Sequence, residues 1–345
     1  MRYKSCHLIE HGISIDINSI KACCLSREFN KGMPMVEYEC QNDKIAWEHL
    51  FFVKRNHRTH QQNGRDLPAC EGCYSLREED WDEEDYISYI NFDHFSECNS
   101  RCIYCSVRKR KRRTQNNTLP AIKELIKLGK FKNNGEITFQ GGEPTLLKEF
   151  DELLKLFINE GCKIRIHSSG ILFSRAMRNA IKKGAVSVVI SPDSAFRNTY
   201  ARIKNVDKSE EVWKNIAHYR RRLKDGNEKL VRVKYIIIPG VNDTFEEVNE
   251  FLNRIKKLDI KSVIVDFEYT HANTNKGSVS PHVYILNDYI EHFCKENGIE
   301  FELYDSARYA ESDRTFEKTK DFSVENITRE IENYKRQNWR LNIRY

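Results

Sequence analysis

Apolar positions along the chain fall into short runs that are separated by longer amphipathic segments. Segments with helical spacing lie at about 119–129, 147–160, 174–184, 208–224, 244–257 and 284–297. The apolar runs between them have strand length. Strands that alternate with helices predict parallel βαβ units with right-handed crossovers. The six runs are Ile87–Phe92, Ile137–Gln140, Ile164–His167, Val186–Ile190, Val231–Ile238 and Val263–Phe267.

This span has room for six or seven units at roughly 30 residues each, which is too short for an eight-unit barrel. We therefore predict an α/β fold of the partial (β/α)6 TIM-type barrel class. The first 80 or so residues differ, because they hold short strand-like pieces (Gly12–Ile17 and Ile20–Cys24), polar loops and many cysteines. Phe301–Tyr304 is one more candidate strand, and Val324–Arg340 is a charged helical segment. The predicted organisation is a small Cys-rich N-terminal module at 1–80, the barrel at 81–300 and a helical C-terminal tail at 301–345.

Charge and hydropathy narrow the class of protein. The net charge of +6 matches the six basic residues of the run from Arg108 to Arg113, so the excess is local. Such a run is either a solvated loop or a site for a polyanion, and the loop is the commoner case, so nucleic acid is not the favoured partner. No stretch approaches the ~18 apolar residues of a membrane helix. The N-terminal segment lacks the apolar run of a secretory signal, so a cytoplasmic location without a membrane partner is expected.

The chain contains eleven cysteines, an odd number, and no export signal. Clustered cysteines in a reducing compartment indicate metal or cluster ligation, whereas Cys40, Cys162 and Cys294 stand alone and are interpreted as incidental thiols. Three others follow the first predicted strand at the spacing C-x3-C-x2-C. Thiolates select Fe–S clusters, zinc or Cu(I), and a structural zinc site would need a fourth ligand. These three cysteines are Cys98, Cys102 and Cys105.

This segment resembles the signature of the radical S-adenosylmethionine (SAM) superfamily, in which an aromatic residue precedes the last cysteine; here it is Tyr104. The resemblance extends, over roughly residues 86–270, to a Gly-Gly-Glu-Pro motif one strand–helix unit later. It implies a [4Fe–4S] cluster on the three cysteines, with SAM bound at the open iron. The motif would receive the SAM amino group, as a glycine backbone and a carboxylate can. The motif is Gly141-Gly142-Glu143-Pro144, and Gln140 precedes it.

Further positions match the family in chain order. Ser168 and Ser169 end the third predicted strand, and Ser191 and Asp193 follow the fourth, where relatives place polar contacts to the ribose. Lys204 falls where many relatives carry a basic residue for the SAM carboxylate. Arg202 competes for that role. The resemblance thus implies a SAM site built from the ends of successive strands.

A second metal site is indicated upstream, by Cys6, Cys23, Cys70 and Cys73. Four thiolates satisfy a zinc knuckle. They also resemble the auxiliary-cluster module called SPASM or twitch, which implies a second [4Fe–4S] cluster without an open iron. Ile20 lies three residues before Cys23, which favours Cys23 over Cys24 as the ligand. In this chain Asn18 replaces the usual turn glycine, and the module precedes the barrel instead of following it.

The resemblance implies reductive cleavage of SAM to a 5′-deoxyadenosyl radical that abstracts hydrogen from a substrate, with electrons from a partner such as flavodoxin or ferredoxin. No catalytic side chain is identified. The first expectation for the substrate is a peptide or protein. The alternative is a small sugar or nucleotide-type metabolite, with Asp266, Glu268 and His271 as candidate contacts. A third class is a non-catalytic zinc protein that binds nucleic acid through the basic run. The sequence does not identify the reaction outcome or the oligomeric state.

Overall fold

A computed structural model gives the structure of most of the chain, which forms two compact units. The first unit comprises residues 1–98 and 110–167, and the second comprises 99–109 and 168–345. The predicted boundaries near residues 80 and 300 stay a prediction. The structure describes residues 1–16, 19–21, 35–37, 45–65, 67, 70, 73, 75–105, 107, 117–223, 226–268, 279–312, 314 and 317–337.

A mixed sheet forms the centre of the first unit, with the strand order β8-β7-β6-β2-β3-β4. Strands β6, β7 and β8 are parallel, and β2 joins β6 in the parallel sense. Strands β3 and β4 then continue the sheet in the antiparallel sense, and β1 and β5 form a separate antiparallel pair. The N-terminal strands therefore extend the sheet that carries the barrel units. The strands are β1 (Arg2–Ser5), β2 (Gly12–Asp16), β3 (Ser19–Lys21), β4 (Met35–Glu37), β5 (Arg77–Asp80), β6 (Ile87–Asp93), β7 (Phe131–Phe139) and β8 (Lys163–Ser168).

Four helices accompany this sheet. The longest, α2, differs from the sequence prediction, which placed strand-like pieces and polar loops in this region. Its buried side repeats at helical spacing but is partly polar, since Lys54, His57, Arg58 and Gln61 are buried beside Trp47, Leu50 and Phe51. Apolar periodicity therefore does not reveal it. The helices are α1 (His7–His11), α2 (Trp47–Gln62), α3 (Leu119–Lys127) and α4 (Phe150–Asn159).

The second unit contains a parallel sheet in the order β12-β11-β10-β9. The strands are β9 (Val186–Ile190), β10 (Val231–Ile237), β11 (Ser262–Phe267) and β12 (Glu300–Leu303). Helices α5 to α9 connect or follow the strands, and the C-terminal helix α11 packs against α9 and α8. The helices are α5 (Arg175–Lys182), α6 (Arg197–Lys204), α7 (Ser209–Arg220), α8 (Phe245–Lys257), α9 (Pro281–Glu296), α10 (Asp305–Ser312) and α11 (Val324–Gln337).

The predicted fold class is confirmed, because parallel strands alternate with helices through both units. All six predicted strands are present, and β12 is the additional one expected at Phe301–Tyr304. Strand β7 begins at Phe131, before its predicted start at Ile137. The sequence prediction missed this part because Lys132, Asn133 and Asn134 are polar and exposed. Helix α6 was absent from the sequence prediction. Within the described ranges, no helix is long and apolar enough to cross a membrane.

The two faces of β10 differ in chemistry. Tyr235 faces the helical layer, where its ring lies 4.6 Å from that of Phe251 in α8. Because side chains alternate along a strand, Arg232 and Lys234 lie on the opposite face. Each is buried and ion-paired, Arg232 with Glu302 and Lys234 with Asp266. This opposite face therefore carries two buried ion pairs beside the apolar Ile236.

Candidate functional site

The cysteine segment runs from the end of β6 towards residue 105. Cys98 is exposed, and Cys102 and Cys105 are half-buried. The amide of Cys105 donates to the carbonyl of Cys102 at 3.2 Å, which makes a tight turn between these two residues. The exposed and half-buried positions leave the thiols accessible to a metal cluster, as a ligand set requires.

Residues 101–105 are attached to the C-terminal end of α6. The amides of Arg101 and Ile103 donate to the carbonyls of Lys204 and Ile203, at 2.8 and 2.9 Å. These carbonyls belong to the last turn of a helix, where intrahelical partners are missing. The cysteine loop therefore completes the hydrogen bonding of α6, and α6 in turn fixes the backbone of the loop.

The Gly-Gly-Glu-Pro motif follows β7 and packs against the chain that leads into Cys98. The amide of Gly142 donates to Phe95 at 3.0 Å, and that of Glu143 donates to Glu97 at 2.8 Å. Gly141 has a φ of +101°, and a Cβ on Gly142 would lie 2.2 Å from the Glu97 carbonyl oxygen. Only glycine allows this close approach of two backbones.

The side chains of the motif have defined partners. The Glu143 carboxylate is buried and accepts from the Thr145 amide at 3.2 Å and from the Thr145 hydroxyl at 2.7 Å. It thereby caps a short 3-10 helix at Pro144–Leu146. Gln140 is half-buried, and its amide donates to Phe92 at 2.9 Å. The motif is thus both a helix start and a glycine-lined backbone surface.

In the second unit, the predicted serines lie at or just beyond the ends of two strands: Ser168 is the last residue of β8, Ser169 follows it, and Ser191 follows β9. The Ser168 hydroxyl accepts from the Gly170 amide at 3.0 Å and is buried. The Ser169 hydroxyl donates to Asn99 Oδ1 at 2.8 Å, next to the cysteine segment. Ser191 is half-buried beyond the end of β9. The structure therefore brings Ser169 towards the cysteine loop through a residue that the sequence analysis did not single out.

Asp193 is fully buried in the left-handed region, with a φ of +58°. Its Oδ1 accepts from the Ile236 amide at 3.0 Å. The carbonyl of Asp193 accepts from the side-chain amide of Asn242 at 2.7 Å, and the same amide reaches the Ile236 carbonyl. Asp193 is therefore tied to β10 at several atoms. Asn242, which follows β10, was missed as a functional position because a lone Asn in a turn carries little sequence signal.

Tyr104, Asp193 and Lys204 form one polar cluster, which we call the brace. The Tyr104 hydroxyl donates to Asp193 Oδ2 at 2.6 Å, and Lys204 Nζ donates to the Tyr104 hydroxyl at 2.7 Å. Lys204 also forms an ion pair with Asp193. Burial alone would lower the pKa of Lys204, but the charges of Asp193 and Cys102 raise it. Burial, and next Asp193, hold the pKa of Tyr104 well above its usual value. Arg202 of the same helix is exposed.

The upstream cysteines lie in the first unit. Cys6 and Cys70 are buried in one apolar cluster with Ile9 and Leu67. The amide of Cys73 donates to the Cys70 carbonyl at 3.0 Å, and Cys73 is half-buried. The structure thus brings Cys6 and Cys70 together, with Cys73 one turn away. Cys23 lies outside the described residues.

The thiols are not arranged as a finished metal site. Over the described ranges, no three His, Cys, Asp or Glu side chains lie close enough together to hold a metal ion. Metal binding and the ordering of ligands are coupled processes, so thiol positions are set when the metal binds. The fit to a cluster therefore depends on donor chemistry and access, which the cysteine segment provides.

A buried pair near the motifs, His94 and Glu149, was not identified from the sequence. His94 precedes the cysteines and is buried, with Nε2 3.7 Å from Glu149 Oε1.

Of the proposed substrate contacts, Asp266 is paired with Lys234 at 2.6 Å and Glu268 is buried, whereas His271 lies outside the described residues. The lone thiols Cys162 and Cys294 are buried, as expected, which raises their pKa values to about 11 and about 12.

The comparisons with known proteins agree with this geometry. Residues 93–255 match the family model described as "Radical SAM superfamily". The protein "GTP 3',8-cyclase" of Clostridium botulinum is 27% identical over 179 residues, which cover 50% of this chain and 54% of the relative. Its counterpart of the same name in Clostridium acetobutylicum is 28% identical over 182 residues, covering 51% and 54%. The chain thus spans about half the length of these relatives.

A solved structure shares the fold. It is Streptococcus suis SuiB bound to precursor peptide SuiA, which matches with a TM-score of 0.52 and 13% identity over 79% of this chain and 68% of SuiB. SuiB bound to S-adenosylmethionine matches with a TM-score of 0.51 and 14% identity, over 74% of this chain and 56% of that one. At such identities the likeness shows the fold alone.

Proposed function

The chain belongs to the radical SAM superfamily, and from this premise we propose that it cleaves SAM reductively and uses the product radical to abstract hydrogen from a nucleotide-type substrate. The family uses a [4Fe–4S] cluster and SAM. The observation that carries the proposal is the close backbone packing of Gly141 and Gly142 against the chain that leads into the cysteine segment. This packing supports a shared site for the glycine motif and the cysteine segment.

Cys98, Cys102 and Cys105 are the proposed cluster ligands, and three thiolates leave one iron for SAM. When bound, the cluster supplies the electron that breaks the sulfonium bond of SAM. The protein contributes placement and exclusion of water. The turn at Cys102–Cys105 and the attachment to α6 hold two of the three ligands in a fixed loop.

The SAM contacts are proposed from the same resemblance. The glycine backbone of the motif and Glu143 would receive the ammonium group, since a carboxylate pairs with a cation. Tyr104, Gln140 and Pro144 are further proposed cofactor-binding residues. Ser168, Ser169, Ser191 and Asp193 are proposed for the ribose side, and of these Ser169 and Ser191 are half-buried.

A second cluster on Cys6, Cys23, Cys70 and Cys73 is also part of the proposal. The packing of Cys6 with Cys70, and the turn to Cys73, support a common site for three of these residues. Zinc fits the same donors. Iron and zinc content after reconstitution separates the two possibilities.

A nucleotide-type substrate is proposed ahead of a peptide. The curated relatives are named for a reaction of GTP, whereas the likeness to a peptide-bound SuiB is a likeness of fold. A family member of this kind needs a reductant, and a flavodoxin or ferredoxin is the proposed donor.

The test is anaerobic reconstitution with iron and sulfide, followed by reduction and a panel of nucleoside mono-, di- and triphosphates that includes GTP. We expect two clusters' worth of iron and more 5′-deoxyadenosine from SAM with one nucleotide than without. Stoichiometric zinc with no SAM cleavage would overturn the proposal. SAM cleavage that no nucleotide stimulates would overturn the substrate class alone.

A matched variant separates the two metal sites. The triple substitution Cys98→Ala, Cys102→Ala, Cys105→Ala removes only the proposed SAM-cluster ligands. It should abolish 5′-deoxyadenosine formation and retain the metal of the upstream site, since the two ligand sets share no residue. Loss of all metal would show that the upstream cysteines hold none.

A further inference from the structure

The resemblance assigns Lys204 to the SAM carboxylate, but the structure gives Lys204 another set of partners. Its side chain is 4% exposed, and it is paired with Asp193 and hydrogen-bonded to Tyr104. A SAM carboxylate would have to draw the ammonium away from a buried carboxylate. Breaking a buried pair is strongly unfavourable, because it leaves the other charge buried without a partner.

The same lysine ends the helix that carries the cysteine loop. Lys204 is the last residue of α6, and Asn205 stops the helix in the left-handed region with a φ of 52°. The carbonyls of Lys204 and Ile203 receive the amides of Arg101 and Ile103. A cation at a helix C-terminus is also favoured by the helix dipole. Both the side chain and the backbone at the C-terminal end of α6 therefore form hydrogen bonds with the loop at residues 101–105.

Apolar contacts support the loop from the other side. Ile103 and Tyr104 pack against a buried group formed by Ile203, Ile236 and Ile238. The Tyr104 ring also lies 5.1 Å from the Lys204 ammonium, within cation–π range. Tyr104 is thus fixed by its ring and by its hydroxyl, one residue before Cys105.

The sulfur of Cys102 is carried by the loop that the amides of Arg101 and Ile103 attach to the last turn of α6. The Ser100 hydroxyl is 3.5 Å from the same sulfur. Charges and hydrogen bonds around a ligand sulfur are what a protein uses to set the potential of an Fe–S cluster.

We propose that Lys204, Asp193 and Tyr104 position the Cys102–Cys105 turn and set the reduction potential of the cluster bound there, and that Lys204 does not bind SAM. This rests on the proposed function, since it requires the cluster on these cysteines. Lys204 is a positioning residue in this scheme. The charge of its ammonium stabilises the extra electron of the reduced cluster.

Lys204→Met removes that charge and leaves the Asp193 carboxylate without its cation, so both effects disfavour reduction. The midpoint potential should become more negative. The double variant Lys204→Met, Asp193→Asn restores the original net charge. Asn tolerates the left-handed conformation of position 193 and can still accept from the Ile236 amide. The double variant should therefore recover towards the wild-type potential.

The experiment compares these variants with Lys208→Met, which removes a lysine from an ion pair whose lysine side chain is 45% exposed in the same unit. Each protein is reconstituted anaerobically, and iron and sulfide are counted per chain. The potential is followed by EPR-monitored redox titration. SAM affinity is measured on the cluster-loaded fraction by equilibrium dialysis. Lys204→Arg, which keeps the charge, provides a milder variant if Lys204→Met does not fold.

The expected result is a more negative potential for Lys204→Met, with SAM affinity within about twofold of wild type. Lys208→Met should match wild type in both measurements. An increase of about tenfold or more in the SAM Kd at an unchanged potential would show that Lys204 binds SAM and overturn the inference. No change in either quantity would also overturn it. Failure of the wild-type chain to load iron or cleave SAM would instead refute the proposed function.

Discussion

Gly142→Ala tests the close packing of the glycine motif against the chain that leads into the cysteine segment. The new Cβ would lie 2.2 Å from the Glu97 carbonyl oxygen and 3.0 Å from its carbonyl carbon. Carbon and oxygen need about 3.3–3.6 Å, so the two backbones must separate by about 1 Å. Backbone atoms cannot rotate away as a flexible side chain could, so the strain falls on the loop itself.

The expected cost follows from what this separation disrupts. It lengthens the hydrogen bonds from Gly142 to Phe95 and from Glu143 to Glu97, now 3.0 and 2.8 Å. Each contributes about 0.5–1.5 kcal/mol. Overpacking adds about 1–3 kcal/mol. The free energy of unfolding should therefore fall by about 2–6 kcal/mol.

Urea denaturation followed by circular dichroism measures this loss, and Gly64→Ala is the matched control. Gly64 lies in the same unit with a φ of +69° and no atom within 4 Å of an added Cβ, so alanine there carries only the left-handed strain. That strain is about 1–2 kcal/mol. If the free energy of unfolding falls equally in the two variants, by only the about 1–2 kcal/mol of left-handed strain, the close backbone packing on which the shared site depends would be refuted.

Two further predictions concern stability at low pH and the upstream metal. Burial acts to raise the pKa of Asp243, but His282 and Lys335 hold it at about 2, against 3.8 for the ordinary group. The lowered pKa contributes about 2 kcal/mol to the free energy of unfolding, which is present above pH 4 and is lost as the pH falls towards 2. Asp243→Asn should therefore flatten the urea stability profile across that window. An unchanged profile would contradict the pairing. Cys70→Ser should remove about half of the bound iron and leave SAM cleavage measurable, since it alters only the auxiliary site; wild-type iron content would exclude Cys70 as a ligand.

The regular part of the fold could be predicted because burial on both sides makes its strands continuous apolar runs. Strand β9 coincides with the predicted run at Val186–Ile190. Strand β7 does not, because Lys132, Asn133 and Asn134 in its first part are polar and exposed, and regular pairing with β6 resumes only at Glu136. Helix α2 escaped detection for a related reason, since Lys54 and Arg58 occupy its buried side through specific polar partners.

The site divides in the same way. The cysteines and the glycine motif are local patterns in which spacing and residue type carry the chemistry. The brace is different, because Tyr104 lies 89 residues from Asp193 and 100 from Lys204. These contacts also depend on the end of α6, a helix that lacks a strong apolar period. A resemblance placed Asp193 and Lys204 near SAM, and the structure joins them to each other and to the residue before Cys105.

The most direct test of the central claim is the yield of 5′-deoxyadenosine when the reconstituted, reduced chain is given SAM under anaerobic conditions. Wild-type protein should produce it together with methionine, and the variant lacking Cys98, Cys102 and Cys105 should produce none while retaining its upstream metal. Equal yields from the two proteins, or no 5′-deoxyadenosine from an iron-loaded wild-type chain, would contradict the account.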